Sequence, residues 1–257
     1  TPDGEFAVFS WAGDLWSVPA DGGPATRLTS HPADEYFSAV SPDGDLLAFT
    51  SDREGAMNIY VADLSRAGST LIAAAPRRVT FGDSGQVLSG FTADGEAVLF
   101  SSYQDRDIYR EERMYAAPLD GGPVRSLTDA FGEHPTMSAD GETVAFARGS
   151  NNKVRPIYRG PSTGEIWTLD LGDNTFTRLT NDDADDIEPF AMPDGSVVYI
   201  SSADGQYNVW RTSPGANRAR QLTSFKPAKN EHTIAHGVRD LGVSGDGSTA
   251  VFAVWDT

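Results

Sequence analysis

Cysteine is absent from this 257-residue chain, which excludes disulfides and thiolate-held metals outright. Lysine is almost absent: Lys153, Lys226 and Lys229 are the whole set, and 20 basic residues face 37 acids for a net charge of −17. A surface of that sign repels phosphate backbones, so nucleic acid is excluded as a partner. No apolar run approaches the roughly 18 residues that a membrane helix requires, and no signal-peptide pattern opens the chain. No membrane partner is therefore expected. The missing cysteines suit a reducing cytoplasm, with the periplasm as the alternative. Long amphipathic helical patterns are missing too, which argues against an alternating α/β fold.

What the chain has in quantity is a repeat. Asp-Gly recurs at Asp3-Gly4, Asp43-Gly44, Asp94-Gly95, Asp140-Gly141, Asp194-Gly195 and Asp246-Gly247, at spacings of 40, 51, 46, 54 and 52 residues. Each pair precedes an apolar run, such as Leu46-Leu47-Ala48-Phe49 or Val197-Val198-Tyr199-Ile200. Asp-Gly between apolar runs predicts a hairpin, because glycine accepts the positive φ of a tight reversal. A second run follows in the first five units, for example Ile59-Tyr60-Val61 and Ile166-Trp167-Thr168-Leu169. Each of these units closes on a Leu-Thr or Val-Thr, as in Arg27-Leu28-Thr29 and Arg178-Leu179-Thr180.

Four strands per 40 to 54 residues is the signature of a β-propeller. The expected fold is all-β: a six-bladed propeller of four-stranded antiparallel blades, with repeats beginning near residues 1, 41, 92, 138, 192 and 244. The first and last blades should be incomplete, because unit one opens on its Asp-Gly and unit six stops at Trp255-Asp256-Thr257. Residues 1–257 are read as one propeller domain excised from a longer chain. Trp16, Trp167 and Trp210 hold matching places in their units, which marks blade packing and not a ligand cage.

Two charge patterns suggest sites. The connections between one blade's outermost strand and the next blade's innermost strand carry Asp34, Glu35, Glu133, Asp183, Asp186 and Glu188. If these connections share one face, the carboxylates ring a channel mouth and attract cationic ligands or peptide N-termini. Aspartate also favours turns on its own account, so both readings stay open. The stretch from 148 to 164 is the opposite case. It holds Arg148, Lys153, Arg155 and Arg159 with no acid, and Tyr158 adds apolar surface. Arg155, Tyr158 and Arg159 are candidates for docking on an acidic surface of a sister subunit or another domain. His232 and His236 beside Glu231 are spaced for a metal only on a helix, and Thr233 stands where a zinc peptidase needs its glutamate. No metal site is expected there, and no catalytic set or cofactor is expected.

The Ser41-Pro42-Asp43-Gly44 hairpin and the Ile59-Tyr60-Val61 strand resemble the repeat of TolB-type and tricorn-type propellers. Arg155-Pro156-Ile157-Tyr158-Arg159-Gly160 followed by Gly164-Glu165-Ile166-Trp167 is similar to an insertion in the six-bladed propeller of tricorn-type peptidases. Leu222-Thr223-Ser224-Phe225 also looks like the tricorn pattern. The resemblance implies a parent that is a large serine peptidase whose catalytic domains lie elsewhere. This propeller would then be a non-catalytic port or filter for peptides. Its implied partners are peptides, or other domains or subunits of the parent, and homo-oligomeric assembly of the parent stays open. The alternative is a TolB-like propeller that binds a protein partner.

Overall fold

The computed structural model describes residues 1–105, 111–149, 156, 158–226 and 237–255, and no helix occurs among them. They fall into two compact units: Thr1–Pro135 with Ser244–Ser248, and Thr136–Val243 with Thr249–Thr257.

The first unit holds three sheets. The first is β1 (Phe6–Trp11), β2 (Asp14–Pro19) and β3 (Thr26–Arg27) in that order. The second runs β4 (Glu35–Val40), β5 (Leu46–Ser51), β6 (Asn58–Ala67) and β7 (Thr70–Ala73), with β8 (Arg77–Arg78) also pairing β6. The third is β9 (Gln86–Phe91), β10 (Ala97–Ser102), β11 (Arg113–Pro118) and β12 (Arg125–Phe131). The strand β7 has no counterpart in the other repeats; it folds back on the long β6 through Gly68.

The second unit continues the pattern. One sheet is β13 (Glu133–Met137), β14 (Thr143–Arg148), β15 (Glu165–Asp170) and β16 (Phe176–Arg178). The next is β17 (Asp186–Ala191), β18 (Val197–Ser201), β19 (Asn208–Thr212) and β20 (Arg220–Gln221). Last comes the hairpin of β21 (Gly237–Val243) and β22 (Ala250–Trp255).

Among the described residues the strand pairs within these sheets run antiparallel. The expectation of six blades is corrected: among the described residues five repeats build blades of three to five strands, and the sixth contributes a hairpin.

Period-two alternation explains why blades stack. On β5, Leu47 and Phe49 join Phe6 and Leu15 of the preceding blade in one cluster, while Ala48 joins Val98 and Phe100 of the following blade in another. On β18, Val197 and Tyr199 face Ala145 and Ile166, whereas Val198 and Ile200 face Val238 and Leu241. A central strand packed on both sides has no solvent face, so β10 and β18 are buried along their whole length. Aromatic partners repeat across the two middle strands of each blade: Phe9 with Trp16, Phe49 with Tyr60, Phe100 with Tyr115, Phe146 with Trp167 and Tyr199 with Trp210. Phe100 and Tyr115 stack at 5.3 Å. Trp16, Trp167 and Trp210 are therefore packing residues.

The six Asp-Gly reversals share one hydrogen-bond pattern. Asp3, Asp43, Asp94, Asp140 and Asp246 each accept a hydroxyl proton from the Ser or Thr two residues before. Each also accepts the backbone N–H two residues after. In the fifth turn Met192 occupies the hydroxyl position, and Ser196 donates both its N–H and its hydroxyl to Asp194 instead. The glycines sit at φ between 70° and 85°, where a side chain would be strained.

These bonds, the hydroxyl first and the amide second, hold all six carboxyls below their ordinary value of 3.8. A depressed folded value means stability that is present above 3.8 and lost as pH falls through the folded values. The melting temperature should accordingly fall between about pH 4 and about pH 2. Replacing Ser41, Thr92 and Ser138 with alanine should flatten that fall. An equally steep acid limb in the triple variant, followed by circular dichroism, would remove the turns as its source.

Candidate functional site

The connection entering the second blade carries Asp34 and Glu35, and the two side chains part company. Glu35 N–H donates to the carbonyl of Gly13 at 3.0 Å, which ties the start of β4 to the β1–β2 turn. Asp34 stays exposed above that turn, its Oδ1 2.7 Å from where a Cβ on Gly13 would stand. Its N–H donates to Asp52 Oδ1 at 3.2 Å. The Tyr36 hydroxyl is pushed up by burial, by its hydrogen bond to Asp34 and by the charges of Asp34 and Asp52. Trp11 ends β1, is 63% exposed, and meets Trp16 edge-on at 5.6 Å. Among the described residues no ion pair involves Asp34 or Asp52. Two carboxylates beside exposed Tyr36 suit a cationic group through charge and a ring face together.

Glu35 turns inward and is fully buried. It accepts the Thr29 hydroxyl and pairs with Arg53, whose guanidinium lies 4.6 Å from the Tyr60 ring centroid. Burial raises its carboxyl, while Thr29 and Arg53 pull the other way. Asp186 is likewise buried, and Glu133 and Glu188 are half-buried. Glu133 lies near Tyr103, whose hydroxyl is pushed up to about 12 by burial and then by the Glu112 and Glu133 charges. Glu188 stands at φ 49° on a bulge of β17 and accepts the Leu241 N–H at 3.1 Å. Of the six acids, Asp34 and Asp183 are exposed. The reading of Glu35 and Asp186 as rim carboxylates is corrected, since strand alternation points them at threonines within the sheets.

Arg159 is also used inward. Its guanidinium donates to the carbonyls of Pro156 and Tyr158 at 2.8 Å, to Ser202 O at 3.0 Å and to Ser202 Oγ at 3.3 Å. It clamps the loop onto the end of β18, and Tyr158 stays exposed beside it. Buried Asp185 completes the anchorage, accepting Gly164 N–H at 2.8 Å and the Tyr207 hydroxyl at 2.7 Å. Arg155, Lys153, Glu231, His232 and His236 lie outside the described residues. Among the described residues no group of three His, Asp or Glu side chains is placed to hold a metal.

The sequence named Asp185 only as one more acid of a connection, and it gave no role to Arg53, Ser202 or Tyr207. One signal was present: Thr29 to Glu35, Thr80 to Gln86 and Thr180 to Asp186 are each six residues apart.

The tricorn protease N-terminal β-propeller domain family matches residues 3–249. The chain belongs to that family. Tricorn protease homolog 1 of Streptomyces coelicolor is 28% identical over 255 residues, covering 98% of this chain and 22% of the relative. This tricorn-family chain thus spans about a fifth of that curated relative. The crystal structure of the tricorn protease superposes with a TM-score of 0.76 at 19% identity, over 98% of this chain and 24% of that one. A TolB-type protein from Agrobacterium tumefaciens gives 0.76 at 20% identity, over 100% of this chain and 88% of its own. Both likenesses establish the propeller fold of the tricorn-family chain.

Proposed function

We propose that this chain is the non-catalytic propeller of a tricorn-type serine peptidase and handles peptides on their way to a site elsewhere in the parent. The family match over residues 3–249 carries this reading. The exposed group of Asp34, Asp52 and Tyr36 gives it a chemistry, namely capture of a peptide N-terminus or basic side chain by carboxylates and a ring face. Its partners are then peptides and the other domains or subunits of the parent, and its location is the cytoplasm. A TolB-like role in binding a folded protein is the second reading, favoured by the likeness to the Agrobacterium tumefaciens protein over 88% of that chain.

The test compares the full-length parent with residues 1–257 for peptide cleavage and for labelling by an active-site serine probe. Cleavage and labelling by the parent alone support a port serving a remote site. If neither protein reacts, the peptidase reading falls and the protein-binding reading takes its place.

A further inference from the structure

Three blade connections repeat one device with three different acceptors. At each, a threonine closing one blade accepts a backbone N–H from its own sheet: Leu15 to Thr29 at 2.9 Å, Ile59 to Thr80 at 2.8 Å and Ile166 to Thr180 at 2.9 Å. The hydroxyl proton is then free to reach the first strand of the next blade. Thr29 donates to Glu35, Thr80 to Gln86, and Thr180 hydrogen-bonds Asp186.

The acceptors differ in how charge is managed. Glu35 has Arg53 as a counter-ion. Gln86 is neutral and fully accommodated. Asp186 has neither solution: it is 1% exposed, and its Oδ1 has no hydrogen-bond partner. Thr180 from the preceding blade and Ser201 from β18 supply hydroxyls to it. The charges facing it are of its own sign, Asp182 and Asp185 on the connection. The ring facing it from β18 is Tyr199, whose hydroxyl is driven far up by burial and then by Asp186 and Asp182. Among the described residues, Arg159 is directed onto Ser202 and Arg239 lies over the Tyr207 ring at 5.1 Å.

We infer that Asp186 is a proton-operated latch between the blade ending at Thr180 and the blade beginning at β17, closed with a neutral carboxyl and loosened when that carboxyl ionises. The neutral acid can hold the position that Gln86 holds one connection earlier, whereas the ionised form is a buried charge among acids. Burial first and the Asp182 charge second push this carboxyl up to about 7. A raised folded value means that the folded form keeps a proton the opened form releases. The latch is therefore most secure in acid, and its security is lost as pH rises from 3.8 through about 7.

The test follows hydrogen exchange at the amides of β17, corrected for intrinsic rate, in the whole chain and in Asp186→Asn. In the parent sequence, opening of these amides should rise about tenfold per pH unit between about pH 5 and about pH 6.5. The asparagine variant should lose that slope and match the parent protection at low pH. A carboxyl carbon titrating at about 7 by NMR, absent from Asp186→Asn, gives a readout independent of stability. A carboxyl midpoint near 3.8, or the same exchange slope in both proteins, overturns the latch.

Discussion

Replacing Arg53 with alanine will destabilise the first unit by about 3–5 kcal/mol, the cost of leaving a buried carboxylate without its partner. Glu35 is fully buried, and Arg53 is the cation bonded to it. The same substitution removes the guanidinium from above the Phe49 and Tyr60 rings. Glu35→Gln should cost far less, because Gln86 already fills the equivalent place as a neutral acceptor for Thr80. A paired Arg53→Met, Glu35→Gln variant should recover most of the loss. The deficit in Arg53→Ala should also shrink in acid, where Glu35 is protonated: its carboxyl is already raised by burial, and loss of Arg53 raises it further. Urea denaturation at two pH values measures all of this. A loss below about 1 kcal/mol for Arg53→Ala would mean that the pair is hydrated and contributes as little as a surface ion pair.

Gly164→Ala will destabilise the second unit by about 2–3 kcal/mol, at the upper end of ordinary overpacking. A Cβ at residue 164 would lie 2.4 Å from the backbone carbonyl oxygen of Asp186 and 3.4 Å from Ile187 Cγ2. The atom it strikes belongs to the backbone, so no rotamer change relieves the contact. Relief requires β17 to move off the start of β15. That movement stretches two bonds at once, Gly164 N–H to Asp185 Oδ1 at 2.8 Å and Asp186 N–H to Gly164 O at 3.0 Å. Gly195→Ala is the control, since it adds the same atom in a turn where nothing lies within 4 Å. That control carries the strain of φ +77° but no clash. Equal losses in the two variants would assign the Gly164 effect to backbone freedom instead of close approach.

The sequence carries the blades because their determinants are local. Each Asp-Gly turn bonds to residues two positions either side, and the alternating aromatics meet across a single hairpin. Blade number was read less well: the sixth Asp-Gly specifies a hairpin, and a hairpin is half a blade. The site was read least well, because its partners are remote in sequence. Glu35 meets Arg53 across a strand pair, Asp185 meets Tyr207 across another, and Arg159 reaches Ser202 from a different repeat. Composition could mark Asp34, Glu35, Asp183 and Asp186 as acids of connecting segments, but not which of them turn inward. Strand alternation decides that, and it depends on the residue at which each strand starts. Asp34 precedes β4 and stays in solvent; Glu35 opens β4 and is swallowed by it.

The division of labour at the blade connections bears on how such a chain could have grown by tandem duplication. The donor threonine closes one blade, but Glu35 and Arg53 both belong to the next, on β4 and just past β5. Copying that blade as a block copies the buried charge and its neutralising partner together, so the new unit arrives electrically self-sufficient. It asks of whatever precedes it only a hydroxyl, which Thr29, Thr80 and Thr180 all supply. Exchange of blades between related chains should thus be tolerated when the crossover falls between the threonine and its acceptor. A crossover between residues 35 and 53 would instead part the charge from its partner.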